Sequence, residues 1–277
     1  MSPRGWVGAG LLVVLTLFAV AGDRVAGYRF DAQDPAHALE PPSRTHWLGC
    51  DALGRDLLAR LCEGGRVSLL VAVGATALAI ALGLGYGALS GWVGGRTDAL
   101  LMRVIEVLYA LPDVLVIVLL IEVLTAAFGG LPDLLRRLFA IAVALGFTGF
   151  VGVARLVRAL VLQAREETWV EAARASGAGP TRILMRHVLP NVAAPVLVSA
   201  ALQVPAAIRA ESIVSFIGLG IKPPFSSWGT LAADGFEAMR SFPHLIFFPC
   251  LAILASLLGF HLLREALQER LDPRRRP

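Results

Sequence analysis

Charge is what this chain has least of. Only 17% of its 277 residues are charged, against roughly a quarter in an ordinary soluble domain. Lysine is nearly missing: Lys222 stands alone, and arginine supplies the rest of the positive charge. The three cysteines, Cys50, Cys62 and Cys250, contain no C-x-x-C pair, which argues against a zinc or dithiol redox motif. No G-x-x-x-x-G-K-[ST] loop is present, so the chain cannot cradle nucleotide phosphates itself. No G-x-S-x-G or H-E-x-x-H constellation appears either, and the chain is read as not an enzyme. A disordered chain, a secreted disulfide scaffold and most water-soluble enzymes are excluded together.

Apolar residues fill the space that charge leaves. They make up 56% of the sequence, and mean hydropathy is +0.70. Lipid is the solvent such a chain needs. Its formal net charge of +4 and basic isoelectric point do not signal nucleic acid, because the arginines form no stripe interleaved with aromatics. They sit between apolar runs, where they set membrane topology.

A bilayer core of about 30 Å takes about 20 apolar helical residues. Six stretches qualify, near 5–22, 67–93, 104–128, 138–162, 192–219 and 243–263. The first has the apolar core of a signal peptide, but Ala19-Val20-Ala21 is a weak cleavage signal and a retained helix is expected. Between the spans lie a long loop at 23–66, turns at 94–103 and 129–137, a polar insertion at 163–191, a Pro/Gly/Ser/Trp-rich loop at 220–242 and a basic tail. A cytoplasmic N-terminus places Arg4, Arg96, Arg103, Arg165, Arg174, Arg182, Arg186, Arg270, Arg274, Arg275 and Arg276 inside. Arg136 and Arg137 then fall outside and argue mildly the other way. The expectation is an all-α membrane protein with six transmembrane helices and both termini cytoplasmic.

Gly and Ala crowd the second span, AVGATALAIALGLGYGALSG at 72–91. Small residues let helix backbones approach closely in lipid, so a packed bundle is predicted. Pro112 and Pro205 fall inside spans and should bend them. Glu106, Glu122, Arg155, Arg158, Arg209 and Glu211 lie in or near the spans and should face protein, water or the interface. Glu211 and Arg209 are two apart on one helix and do not face each other. Each either lines a pathway or pairs with another helix, and Glu122 is a further candidate.

The insertion Thr168–Asn191 reads TWVEAARASGAGPTRILMRHVLPN. Thr168 and Glu171 have capping-box spacing. Gly177 suits the left-handed end of a short helix, Pro180 suits the first turn of a second, and Pro190 should stop that one. Alanines 172, 173 and 175 allow close approach by another surface. Ile183, Leu184, Met185 and Val188 offer an apolar ridge. Such a unit suits a partner's groove or a lipid headgroup layer.

Glu171-Ala172-Ala173, then Gly177, then Leu189-Pro190 resembles the EAA loop of permease subunits of binding-protein-dependent ABC importers. Arg186-His187-Val188-Leu189-Pro190-Asn191 looks like the dipeptide, oligopeptide and nickel branch, with His187 where an aliphatic residue is common elsewhere. His46-Trp47-Leu48-Gly49-Cys50-Asp51-Ala52-Leu53-Gly54-Arg55-Asp56 resembles that branch's H-x-LGTD-x-LGRD motif, with Cys50 in place of Thr. Glu211–Gly229 is similar to E-x-x-LSFLGLG-x-x-PP-x-x-SWG, and Leu271-Asp272-Pro273-Arg274 matches too.

The resemblance implies a type I ABC importer transmembrane-domain fold over 67–265, preceded by a first helix and extracytoplasmic loop at 1–66 and followed by a basic cytoplasmic tail at 266–277. Coupling helices near 168–189 would dock on cytoplasmic ATPases through Glu171, Ala172, Ala173, Gly177, His187, Leu189 and Pro190. Implied partners are a homologous permease subunit in a heterodimer, two ATPase subunits holding ATP and magnesium, and an extracytoplasmic substrate-binding protein in the bacterial inner membrane. This chain would bind no cofactor and no nucleic acid. Asp51, Arg55, Asp56, Pro224 and Trp228 are candidate contacts for the delivering protein, the 220–242 loop being alternatively a lid on the bundle. A proton-coupled carrier using intramembrane carboxylates, and a scaffold without transport, are the competing readings. His37, His46, His187, His244 and His261 are scattered with no ligand spacing, so no metal site is expected. A Cys50–Cys62 disulfide is chemically allowed outside the cytoplasm, and Cys250 reads as plain core.

Overall fold

The structure is a computed structural model that describes residues 3–271. Asp272–Arg274 of the closing motif and the tail arginines Arg274, Arg275 and Arg276 lie outside the described residues. The described chain is helical: α1 (Pro3–Ala26), α2 (Leu57–Val93), α3 (Gly95–Ala110), α4 (Asp113–Ala127), α5 (Asp133–Arg165), α6 (Thr168–Ala175), α7 (Pro180–Ile183), α8 (Leu189–Phe216), α9 (Trp228–Ala238) and α10 (His244–Leu271). Four helices are long and apolar enough to cross a membrane alone, and up to six spans result if each of two bent pairs counts as one.

The centre is the α2–α5 pair. Small residues repeat every fourth position on one face of α2, and valines meet them from α5. A Cβ added at Gly83 would lie 2.5 Å from the Val153 Cβ; at Gly87, 2.4 Å from the Ala154 carbonyl; at Gly91, 2.8 Å from the Arg158 carbonyl. The backbones touch because those side chains are missing. α1 packs on α10 in the same way, with Gly8 against Leu262 and Gly259 against Leu12. α4 and α8 close on the α2–α5 pair through a core of Val67, Val71, Ile117, Ile121, Ile141, Leu145 and Val214.

Several expected boundaries shift. The second span begins at Leu57 rather than 67, because Asp56 caps it and accepts from the Ala59 amide at 2.8 Å. The expected turn at 94–103 is the start of α3. The third span is not one rod: α3 and α4 meet at 95° around Leu111-Pro112. Pro112 lacks the amide that would carry the helix on, and its neighbour Leu111 is extended, with ψ 142. In the fifth span the chain bends by 43°, between Pro195 and Pro205 within α8. The 220–242 loop holds helix α9, started by a capping box in which Ser227 and Thr230 exchange side-chain and backbone bonds. α10 runs through Leu271, so the expected tail begins as helix. Cys250 is exposed on α10, not core.

Candidate functional site

Two ends of α2 carry the segments singled out above. At the Val93 end, α5 runs out at Arg165, whose Nη1 donates to the Gly91 carbonyl at 2.9 Å. Asp98 at the start of α3 accepts from Arg158 Nε at 2.5 Å and Nη2 at 2.6 Å, and from Ser90 at 2.5 Å. This bidentate pair holds α3 on α5 beside the insertion. The Arg155 guanidinium lies 4.6 Å from the Tyr109 ring centroid.

α6 and α7 form the expected helix–turn–helix. Gly177 has φ +83, and the amides of Gly177 and Ala178 reach back to the carbonyls of Arg174 (2.9 Å) and Ala173 (3.1 Å). These two bonds are a Schellman ending, which favours glycine at that place. Pro180 opens α7. The start of α6 differs from expectation. Glu167, not Thr168, is its N-cap, and no side-chain cap bond is formed, because the chain reaches α6 directly from the last turn of α5. Pro190 does not stop the second helix. A π turn at Leu184–Val188 leads straight into α8; its wider ring accommodates the proline that a regular α turn would reject.

The insertion is pinned to the spans by three side chains. Val170, Ile183 and Val188 are fully buried with Val157, Val161 and Ala164 of α5 and Val192 and Val196 of α8. Burial of each is worth about 2 kcal/mol. Of the expected apolar ridge, Ile183 and Val188 therefore face inward, and Met185 alone is strongly exposed, at 61%. Glu171, Ala172, Gly177, His187 and Pro190 are exposed, while Ala173 and Leu189 are half-buried. The outward face carries small and polar residues, on a base packed against α5 and α8.

At the Leu57 end the H-x-LGTD-x-LGRD-like segment folds on itself. Asp51 accepts from Arg55 Nε at 2.7 Å and from Arg60 Nη1 at 2.6 Å, and Arg60 also reaches Asp234 of α9 at 3.2 Å. His46 Nδ1 donates to Asp56 Oδ2 at 2.9 Å. Gly54 has φ +70, and a Cβ there would lie 1.7 Å from the Asp34 carbonyl. Asp51, Arg55 and Asp56 are buried and build this end of the bundle, with Asp51 and Arg55 lining a cavity of about 210 Å³ beside Asp234. Trp228, a candidate contact for the delivering protein or part of a lid, is 2% exposed and donates its indole N–H to the Leu61 carbonyl at 3.0 Å, which suits the lid. Pro224 is exposed. Cys50 is a free thiol, so it forms no bridge to Cys62. Burial, helped by the carboxylates of Asp56, Glu40, Asp51 and Asp34, pushes it up to about 12. The His37 ring and Ser43 hold the Glu40 carboxyl below its usual range.

Glu211 is wholly buried. Ser68 donates to its Oε2 at 3.1 Å and Ser215 to its Oε1 at 2.6 Å. The Glu211–Gly229 segment explains itself by this contact: Gly220 and Gly229 turn back so tightly that a Cβ on either would strike Ser215 or Ser212. Neither Glu211 nor the exposed Glu122 lines the cavity between the spans. That cavity, about 320 Å³, lies among α2, α4, α5 and α8, and Arg209, Asp113, Gln203, Thr76 and Thr148 supply its polar lining. Asp113 and Gln203 escaped sequence reasoning; the pattern Pro112-Asp113 at a helix break was the available signal. His37, Glu40 and His46, scattered in sequence, come together: one ligand atom from each lies within 4.8 Å of the others.

Known proteins share these features. Residues 75–277 match the family described as binding-protein-dependent transport system inner membrane component. The chain is 42% identical over 272 residues to the dipeptide transport system permease protein DppC of Bacillus subtilis, covering 97% of this chain and 82% of that one. It is 37% identical to that organism's oligopeptide transport system permease protein OppC over 98% of this chain and 85% of the relative. Against OppC of Escherichia coli K12 the identity is 36%, over 96% and 85%. A solved structure of the inward-facing MetNI methionine ABC transporter superposes with a TM-score of 0.56 at 19% identity, over 76% of this chain and 96% of that one, which shows a common type I importer transmembrane fold. The chain belongs to the binding-protein-dependent transport system inner membrane components, multi-pass proteins of the bacterial inner membrane.

Proposed function

We propose that this chain is the permease subunit of an ATP-driven peptide importer, with six spans, both termini cytoplasmic, and a coupling loop at Thr168–Asn191. The peptide class is supported by the names of the dipeptide and oligopeptide relatives at 36–42% identity. A homologous second permease subunit completes the path, and the half-open cavity around Arg209 and Asp113 is this chain's share of it. ATP and magnesium belong to two cytoplasmic ATPase subunits, and a binding protein delivers cargo from outside. The observation that carries the reading is mechanical. α6 and α7 offer an exposed face but are locked by Val170, Ile183 and Val188 to α5 and α8, which wall the cavity. A motor that displaces the loop displaces those two helices, and alternating access needs such an element with different positions in two states.

Glu211 and Glu122, the carboxylates a proton-coupled carrier was expected to use, do not support one. Glu211 is closed in by two serine hydroxyls, and Glu122 is not among the residues that line the cavity. The test is a cysteine at Ala175 in an otherwise intact transporter. It should label with an impermeant maleimide in inside-out vesicles and cross-link to the ATPase. Labelling only from the opposite face would refute the assignment.

A further inference from the structure

We infer that His37, Glu40 and His46 form a binding site for a divalent transition cation, zinc being the ion their donor set fits best. Two imidazoles and one carboxylate are the ligands of many three-residue zinc sites, with a fourth position left to water. One donor atom from each residue already lies within 4.8 Å of the other two. Tetrahedral zinc with bonds of about 2.0–2.1 Å needs neighbouring donors about 3.3 Å apart. Small rotations of the half-exposed His37 and Glu40 side chains supply that closure.

The surroundings orient the donors. Metal-bound histidines usually give their second nitrogen to a carboxylate, which sets the tautomer and the ring angle. His46 does so here: Nδ1 lies 2.9 Å from Asp56 Oδ2, with the two side chains 8% and 3% exposed. A carboxylate only accepts, so Nδ1 is the donor in that contact and Nε2 is the nitrogen left for an ion. His37 repeats the arrangement more loosely, with Nε2 3.8 Å from Asp34 Oδ2 and Nδ1 2.6 Å from Glu40 Oε2. Asp56 itself is fixed by the Ala59 amide at 2.8 Å.

The backbone holds the three positions without the ion. The Glu40 amide bonds the His37 carbonyl at 3.1 Å, the Ser43 amide bonds the His46 carbonyl at 2.8 Å, and the Cys50 amide bonds the Glu40 carbonyl at 2.9 Å. The Leu39 amide bonds the Asp51 carbonyl at 2.9 Å, which ties the cluster to the buried arginine–aspartate knot. The cluster consists of His37, Glu40 and His46, and the buried Cys50 thiol is not part of it. The ion would clamp the loop before α2 onto the N-terminus of that helix.

The test uses the full-length chain in nanodiscs of zwitterionic lipid, purified without a histidine tag and stripped with chelator. Zinc is titrated against a chromophoric competitor. One zinc per chain, with a dissociation constant of about a micromolar or tighter, is expected. His37→Gln and Glu40→Gln should each weaken it at least about tenfold, while His261→Gln leaves it unchanged. Zinc should raise the unfolding midpoint of the parent and of His261→Gln, but not of the other two, whose metal-free midpoints should match the parent. No saturable zinc, or affinity unchanged in both His37→Gln and Glu40→Gln, would overturn the site. Should a variant prove unstable without metal, the competitor titration of the remaining one decides.

Discussion

The Ser68 hydroxyl donates to Glu211 Oε2 at 3.1 Å, joining α2 to α8 across 143 positions of sequence. The Trp228 amide in turn donates to Ser68 Oγ at 3.2 Å, so three helices meet at one buried carboxyl group. Removing it strands two buried hydroxyls. Glu211→Ala is expected to destabilise by about 3 kcal/mol and Glu211→Gln by about 1 kcal/mol, read from unfolding midpoints in detergent. Equal, negligible effects would show that the contact contributes nothing.

Gly177 occupies a backbone conformation at φ +83 that costs other residues about 1–2 kcal/mol. No neighbour lies within 4 Å of a Cβ placed there, so the cost is in the backbone and not in a clash. Gly177→Val should let the chain assemble at normal abundance but change the angle between α6 and α7. On the coupling assignment, ATP hydrolysis then continues while uptake falls at least about tenfold in proteoliposomes. Normal uptake per ATP would separate the turn from coupling.

Asp51 accepts from both Arg55 and Arg60, with side chains 8% or less exposed. Asp51→Ala leaves two buried guanidinium groups without that partner, a change worth about 3–5 kcal/mol. Loss of the chain from the membrane fraction, with rescue by growth at lower temperature, is the expected result. Asp234→Ala, whose own side chain is 55% exposed, should be tolerated, and the contrast between the two variants is the measurement.

The sequence revealed most where a residue acts through its own backbone. Gly83, Gly87 and Gly91 could be read as a close-packing face because a missing side chain has one consequence in any surroundings. The same holds for Gly177 and Pro180. Residues whose role depends on a distant partner are less legible. The sequence leaves Trp228 open between a contact residue and part of a lid, since nothing local says that its indole finds the Leu61 carbonyl. Pro112 bends its span as expected, more sharply than a kink, whereas Pro190 does not stop its helix: a prolyl ring forbids one backbone bond, but whether the chain breaks or widens into a π turn depends on what packs on either side. His37, Glu40 and His46 have no ligand spacing because a turn at Ser43–His46, not a helix or strand period, brings them together.

Cys50 is fully buried and its thiol is pushed up to about 12 from an ordinary value of 9.0. A raised thiol pKa favours the folded state at full strength below the unfolded value, and that contribution is lost as pH rises from 9.0 towards 12. Maleimide at pH 8 should therefore label the exposed Cys250 in detergent and spare Cys50 until the protein is unfolded. Rapid labelling of Cys50 in the folded protein would mean that the loop around it opens freely.

Arg209 and Asp113 bring opposite charges to one cavity of about 320 Å³, and both are exposed in this chain. A peptide carries opposite charges at its two ends, so a pathway with one group of each sign can meet both without desolvating either alone. If the cavity is the cargo path, Arg209→Gln should lower uptake of a free-carboxylate peptide by about tenfold, equivalent to about 1.4 kcal/mol, and hardly affect its C-terminally amidated form. Asp113→Asn should act on the amino end instead, sparing N-acetylated peptides. Neither change removes a buried contact, so unfolding midpoints should stay within about a degree of the parent. Uniform loss across all three peptide forms would assign these residues to gating rather than to recognition of peptide ends.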